Sequence, residues 1–249
     1  MLEGVKIYAV IAAAGQGSRM QKVAQGTEYR GKQMLEVKGL SVIRRTCLSF
    51  ESCDFLDAYV VTASEREGEE IREDLADFLK TGKCLAVIPG GQRRQDSVAA
   101  GLAYLKDHSQ RLATKQKGKD IALVHDGARC LLSPDLIFRV AHAIRESGGG
   151  VAAALASTDT LRLRDNDGGF SLIPRERCFA MQTPQGAPLD MLIDAFKKLH
   201  EKGQEVSDEL QALLNAGYPC DLLPGEAKNI KLTHPEDLAL AEFYLQNSI

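Results

Sequence analysis

The sequence predicts an α/β fold with a mostly parallel central sheet and helices on both faces. Three observations lead there. Short apolar runs rich in Val, Ile and Ala alternate with amphipathic segments, the order expected of parallel βαβ units. Charged and glycine-rich motifs follow directly after these runs, at the ends where open parallel sheets bind ligands. At 249 residues, 44% of them hydrophobic, the chain is long enough for one large domain over residues 1–249, with a β-hairpin arm over 156–177 inserted in it.

Taken in order, Ile7–Ala13 is the first strand and Val42–Phe50 a helix. Ala58–Thr62 is the second strand, followed by a charged amphipathic helix over Glu65–Lys80. Cys84–Ile88 is the third strand, stopped by Pro89-Gly90-Gly91, and Ser97–Leu105 is a small-residue helix. The polar stretch Asp107–Lys119 is expected to be a loop before the fourth strand, Ile121–His125. Ser133 and Pro134 stand as N-cap and first-turn residue of a helix to Arg145, which Gly148-Gly149-Gly150 stops. Val151–Leu155 is the fifth strand.

The pattern then changes. Thr160–Arg164 and Gly169–Ile173 alternate around Asp165-Asn166-Asp167-Gly168, a hairpin signal outside the α/β rhythm. Cys178–Gln182 resumes the sheet, with helices near Met191–His200 and Ser207–Ala216, a last strand at Cys220–Leu223 and a helix over Pro235–Gln246 capped by Thr233 or His234.

Composition excludes several functions. A net charge of −3 argues against a broad nucleic-acid surface. No apolar run approaches the roughly 20 residues that span a membrane, and Met1–Lys6 does not resemble a signal peptide, so a cytoplasmic location is expected. The six cysteines form no C-x-x-C and no zinc spacing with histidine, as expected of reduced thiols.

The organising motif is Val10-Ile11-Ala12-Ala13-Ala14-Gly15-Gln16-Gly17-Ser18-Arg19-Met20, with Gly31-Lys32-Gln33 after it. A buried strand feeding a Gly-x-Gly turn brings backbone N–H groups to an anion, and Arg19 and Lys32 add cations. Two better-known motifs are incomplete here. Met20 stands where a dinucleotide fingerprint needs its third glycine. Gln33 replaces the Ser/Thr of a P-loop. The third strand ends in Gly90-Gly91-Gln92-Arg93-Arg94-Gln95-Asp96-Ser97, a glycine turn opening a helix. This suits a phosphate or a base edge, or else is a simple left-handed cap. The fourth strand ends in His125-Asp126-Gly127-Ala128-Arg129. Asp126 is placed either to meet magnesium and phosphate or to pair with Arg129 and brace the loop. His125 reads as a packed histidine rather than a base. Thr183-Pro184-Gln185, Asn229-Ile230-Lys231 and the hairpin's Thr160 and Arg175 are weak signals singly. Glycine turns, Arg/Lys and one Asp at strand ends are the equipment of phosphoryl or nucleotidyl transfer.

In sequence order these motifs resemble the 2-C-methyl-D-erythritol 4-phosphate cytidylyltransferase family. The resemblance rests on Ala13-Ala14-Gly15-x-Gly17-x-Arg19-Met20, Gly31-Lys32-Gln33, Gly90-Gly91-x-x-Arg94-x-x-Ser97-Val98, Val124-His125-Asp126-x-Ala128-Arg129, Asp159-Thr160, Gln182–Gln185 and Asn229–Leu238. It implies a glycosyltransferase-A-like nucleotidyltransferase fold, a homodimer whose arm embraces the partner, and transfer of CMP from CTP to methylerythritol phosphate with Mg2+ or another divalent cation. It implies Arg19, Lys32 and Lys231 as catalytic residues. Ala13, Ala14, Gly15, Gly17, Gly90, Gly91, Arg94, Ser97, Asp126, Gly127 and Ala128 are implied for the nucleotide, Thr160, Arg175, Thr183 and Asp126 for the acceptor, and Asp126 for the metal. Gly31 stands where the family usually carries proline, Cys130 likewise, Gln92 where an acidic residue is common, and the gap from Arg19 to Lys32 is longer than usual. Ribitol-5-phosphate cytidylyltransferases share most of these motifs and are the alternative enzyme; a non-catalytic nucleotide-binding module is the alternative of another class.

Overall fold

The computed structural model describes residues 4–15, 31–112 and 120–247. Its centre is a seven-stranded sheet. β1 (Ile7–Ala12), β4 (Ala58–Ala63), β5 (Cys84–Pro89), β6 (Ile121–Asp126), β7 (Gly150–Ala156) and β11 (Cys220–Pro224) run parallel. β10 (Phe179–Pro188) runs antiparallel between β6 and β7. The order is β11-β7-β10-β6-β1-β4-β5. β2 (Glu36–Val37) and β3 (Leu40–Ser41) form a tiny hairpin. β8 (Leu161–Arg164) and β9 (Phe170–Ile173) pair only with each other, as the arm.

Side-chain alternation along β1 divides the core in two. Ile7, Ala9 and Ile11 face α1 (Val42–Glu51), α2 (Gly68–Asp74), α3 (Ala76–Thr81) and α5 (Pro134–Ser147). Tyr8 and Val10 face α4 (Arg94–Arg111), α6 (Leu189–Glu201) and α7 (Glu209–Asn215). A strand buried on both faces reads as a continuous apolar run, which is why β1, β4 and β6 stand out in the sequence. A third cluster joins Val37, Val42, Cys130, Leu131 and Leu232 to α8 (Glu236–Asn247) through Ala241.

Tertiary contacts moved several expected boundaries. The helix expected over Glu65–Lys80 is two helices broken at Leu75, because Arg44 on α1 donates to the Asp74 carbonyl and Ser41 Oγ donates to the Asp74 carboxylate (2.6 Å). The stretch from Asp107, expected as loop, stays helical to Arg111, where an Arg111–Asp107 pair (2.6 Å) spans one turn. α4 also begins earlier than expected, because Arg93 and Asp96 form a reciprocal cap at its start. The strand expected to end at Gln182 continues through a bulge and the cis Thr183–Pro184 bond to Pro188. The β2–β3 hairpin was not expected; Lys38 and Gly39 turn it at φ +50° and +72°.

Candidate active site

Three strand ends converge. β1 leaves the sheet at Ala13, whose N–H donates to Thr62 O on β4 (2.8 Å). β5 ends in the Gly90–Gly91 turn. A Cβ on Gly90 would lie 2.4 Å from Ala14 Cβ and 2.7 Å from Ser97 Oγ, so only glycine lets this turn close against Ala14. Gly91 N–H donates to Ser97 Oγ (3.0 Å), which itself donates to Arg93 O (3.2 Å). Ser97 thus holds the turn. Neither glycine has a positive φ, so the turn is a close-approach cradle and not the left-handed cap considered from the sequence. β6 ends in Asp126; Gly127 N–H donates to Ala12 O (2.9 Å), and Gly127 O accepts from Thr46 Oγ1 (2.9 Å), which fixes the turn after it.

Asp126 is the electrostatic focus. Its Oδ1 accepts from Arg94 Nε (2.9 Å), its Oδ2 from Lys231 Nζ (2.7 Å), and Arg129 Nε lies 3.9 Å from Oδ2. Burial opposes its ionisation, but Arg94 and Lys231 outweigh burial and hold its pKa well below the ordinary carboxylate range. Arg94 turns both terminal amines to Glu209 (2.6 and 3.1 Å), whose side chain has 0% exposure. Burial alone would disfavour the Arg94 charge, yet Glu209 and Asp126 together raise its pKa above the usual value.

The Asp126 backbone is held as firmly. Its N–H donates to Thr183 Oγ1 (3.1 Å), and that hydroxyl, only 3% exposed with its residue, donates to His125 Nδ1 (3.0 Å). The imidazole proton then belongs on Nε2, which donates to Arg129 O (3.1 Å). Burial lowers the His125 pKa to about 4, so the ring is neutral at pH 7. His125 packs edge-on against Phe50, the structural role expected of it.

Lys231 is delivered by the loop before α8. Leu232 N–H donates to Ala128 O (2.9 Å), and Arg129 Nη1 donates to Asn229 O (2.8 Å) while its Nη2 donates to Met181 O (3.2 Å). Arg129 therefore braces the segment that presents Lys231. Asn229 Nδ2 donates to Thr183 O (2.7 Å), and Gln185 Oε1 accepts from Leu210 N–H (2.9 Å), sewing the β10 bulge to both neighbouring segments.

Lys32 begins a single 3-10 turn, Lys32–Met34, rather than the α-helix a P-loop requires. Gly31 before it has φ +90°, and a Cβ there would stand 1.9 Å from Glu67 Oε1. Proline, fixed near −65°, cannot adopt that backbone. Glu67 is buried and its Oε2 accepts from Ser64 Oγ (2.9 Å); burial raises its pKa.

The structure thus brings Ala13, Ala14, Gly90, Gly91, Arg94, Ser97, Asp126, Gly127, Ala128, Thr183 and Lys231 around the ends of β1, β5 and β6, with Gly15 exposed at the rim. Gly17 and Arg19 lie outside the described residues. Thr160 and Arg175 do not join this group as part of the same network: both are exposed on the arm, where Arg175 Nη1 donates to Thr158 O (3.4 Å). Sequence reasoning missed Glu209 and Glu67; Gln33 and Gln182 stood in its motifs without a role of their own. Only Glu209 had a legible signal, an acidic residue just after the N-cap Asp208 of a short amphipathic helix.

A divalent cation fits this donor set as a guest carried in with phosphates. Asp126 supplies one hard carboxylate, and among the described residues no three His, Cys, Asp or Glu form a cage. Magnesium ordinarily uses one or two carboxylates and completes its shell with phosphate and water oxygens.

A sequence model of the 2-C-methyl-D-erythritol 4-phosphate cytidylyltransferase family matches residues 7–247. The chain is 35% identical to the 2-C-methyl-D-erythritol 4-phosphate cytidylyltransferase of Pelotomaculum thermopropionicum, covering 95% of this chain and 93% of that one. It is 35% identical to the enzyme of the same name from Nostoc punctiforme, covering 96% and 98%. Among solved structures, 2-C-methyl-D-erythritol 4-phosphate cytidylyltransferase from Thermus thermophilus superposes with a TM-score of 0.72 at 29% identity, covering 97% of this chain and 100% of that one. The 4-diphosphocytidyl-2C-methyl-D-erythritol synthase of Anaerococcus prevotii shares the fold at a TM-score of 0.80 and 24% identity, covering 99% and 98%. With a family model spanning nearly all of it and full-length relatives above 30% identity, the chain belongs to the 2-C-methyl-D-erythritol 4-phosphate cytidylyltransferase family.

Proposed function

We propose that this chain transfers the cytidylyl group of CTP to 2-C-methyl-D-erythritol 4-phosphate, giving 4-diphosphocytidyl-2-C-methyl-D-erythritol and pyrophosphate for isoprenoid precursor synthesis. The observation that carries the reading is Asp126 at the end of β6, ionised between Arg94 and Lys231, with Arg94 on the helix that opens after the Gly90–Gly91 turn. The acceptor's phosphate oxygen attacks the α-phosphorus, and the bond to the β-phosphate breaks. Both reactants are anions, so repulsion is the main obstacle. Lys231 and Lys32, with Arg19 from outside the described residues, are the cations assigned to the negative charge that builds in the transition state. A phosphate dianion is already nucleophilic at neutral pH, so no general base is required. That agrees with a buried, neutral His125 whose two nitrogens are both engaged. Asp126 is the residue that would hold magnesium, which when bound neutralises triphosphate charge.

We assign the nucleotide to Ala13, Ala14, Gly15, Gly90, Gly91, Arg94, Ser97, Asp126, Gly127 and Ala128, and to Gly17, which lies outside the described residues. Thr183 serves the acceptor end mainly by fixing Asp126. The arm's Phe170 and Leu172 are 62% and 66% exposed on one face of a two-stranded hairpin, which supports a homodimer in which the arm packs on a second copy. In that dimer the partner subunit's Thr160 and the partner subunit's Arg175 reach the acceptor phosphate. The six free cysteines suit a reducing compartment, so the cytoplasm is the proposed site of action; no described helix is long and apolar enough to cross a membrane.

The test is pyrophosphate release from CTP with each acceptor in turn. Methylerythritol phosphate should support turnover and ribitol 5-phosphate should not. Turnover only with ribitol 5-phosphate would reassign the acceptor; nucleotide binding without release under either acceptor would make the chain a binding module.

A further inference from the structure

Glu209 has 0% side-chain exposure and cannot touch a substrate, yet it is one hydrogen bond from a residue that touches Asp126. Its carboxylate engages both terminal amines of Arg94, at 2.6 and 3.1 Å, and turns the fork away from Asp126, whose Oδ1 is reached by Nε alone. An arginine beside a lone carboxylate prefers to grip both oxygens through its fork. Here that fork is already occupied. Asp126 Oδ2 is therefore left to Lys231, a half-exposed cation on the open side of the site.

The placement of Glu209 is itself enforced. It is the first residue of α7, after Asp208, whose Oδ1 accepts from Gln211 N–H (2.9 Å) and whose Oδ2 accepts from Gln185 Nε2 (3.3 Å). Gln185 also accepts from Leu210 N–H (2.9 Å). β10, which carries Thr183, and α7, which carries Glu209, are thus fastened together, and between them they fix the backbone and the side chain of Asp126.

We infer that Glu209 is a positioning residue of this site: by occupying the fork of Arg94 it keeps one oxygen of Asp126 available to the cation that accompanies the triphosphate. The inference rests on the reading that CTP binds here. With Glu209→Gln, the freed fork closes on both Asp126 oxygens, and the pocket gains one unit of positive charge.

The experiment is calorimetric titration of the folded full-length protein with CTP, with EDTA or with magnesium. In the unsubstituted protein magnesium should tighten CTP binding. In E209Q that tightening should shrink at least about tenfold, the loss expected when a buried partner that orients a metal ligand is removed, while metal-free CTP binds as tightly as before or more so. The magnesium concentration for half-maximal turnover should rise in parallel. Equal weakening with and without magnesium, or an unchanged magnesium response, would overturn the inference. If E209Q does not fold, the apolar pair R94M/E209L removes the clamp without leaving a buried orphan charge. With no fork left to close on Asp126, the magnesium response of that variant should match or exceed the unsubstituted protein's; a response weakened at least about tenfold would overturn the inference. Failure of CTP to bind the unsubstituted protein at all would instead count against the proposed function.

Discussion

Lys231 Nζ lies 2.7 Å from Asp126 Oδ2, joining a residue near the C-terminus to the end of a central strand. Lys231 is more than a third exposed and Asp126 is nearly buried. The lysine is therefore the member of the pair that an incoming phosphate oxygen can reach.

From this follows the first prediction. Lys231→Ala and Lys32→Ala should each lower kcat about 10²–10³-fold, the usual cost of losing one transition-state donor, with a smaller rise in KM for CTP. Steady-state kinetics check it. A Lys231→Ala enzyme with unchanged kcat and only weaker CTP binding would make Lys231 a uniform binding group.

Thr183→Val conserves volume but strands two partners. The Asp126 N–H loses its acceptor and His125 Nδ1 its donor. Each buried unsatisfied group costs about 1–3 kcal/mol, so the variant should unfold at lower urea concentration, with turnover reduced beyond what the lost stability explains. Urea melts and kinetics on the same samples measure both.

His125 makes stability depend on pH in a defined window. Its folded pKa is about 4 against an ordinary 6.5, because it is buried neutral. Between those values the unfolded chain takes up a proton that the folded one refuses. Stability is therefore full above pH 6.5 and falls as pH drops toward 4, by about 3 kcal/mol at 1.36 kcal/mol per unit. His125→Gln should be less stable at pH 7 but flatter across this window. Parallel slopes for the two proteins in pH-resolved denaturant melts would refute the assignment.

The arm gives an assembly prediction. Phe170 and Leu172 share a face with Arg162 and Arg164, and the Arg164 guanidinium lies 5.0 Å from the Phe170 ring centroid. Leu172→Asp should shift the protein to monomer in sedimentation velocity and lower turnover at least tenfold, while leaving the melting temperature of the domain nearly unchanged, because the arm's strands pair only with each other. A fully active monomer would remove the arm from the site.

Gly31 supplies the last prediction. Gly31→Ala must place a methyl where Glu67 Oε1 stands, at φ +90°. It should destabilise the protein by at least about 1 kcal/mol and raise KM for CTP by displacing Lys32. Adding Glu67→Ala should recover part of the loss but not all, because the positive φ remains. Thermal melts of the single and double variants separate the clash from the backbone strain.

The central strands were legible in the sequence because β1, β4 and β6 are buried on both faces, and each then reads as an unbroken apolar run. The residues after those strands were legible for a related reason: parallel strand ends leave glycine, aspartate and arginine where backbone must turn and charge must collect. The order of motifs was enough to identify the family. Tertiary structure decided the rest. Leu75 breaks a helix because Arg44, far away in the chain, captures the carbonyl before it. Thr183 holds Asp126 only because β10 inserts antiparallel beside β6. Glu209, separated from Arg94 by 115 positions, becomes its partner only when α7 is sewn to β10 through Gln185. Local periodicity carries strands, helices and turns; long-range hydrogen bonds between charged side chains leave no periodic trace, so their pairing exists only in the folded chain.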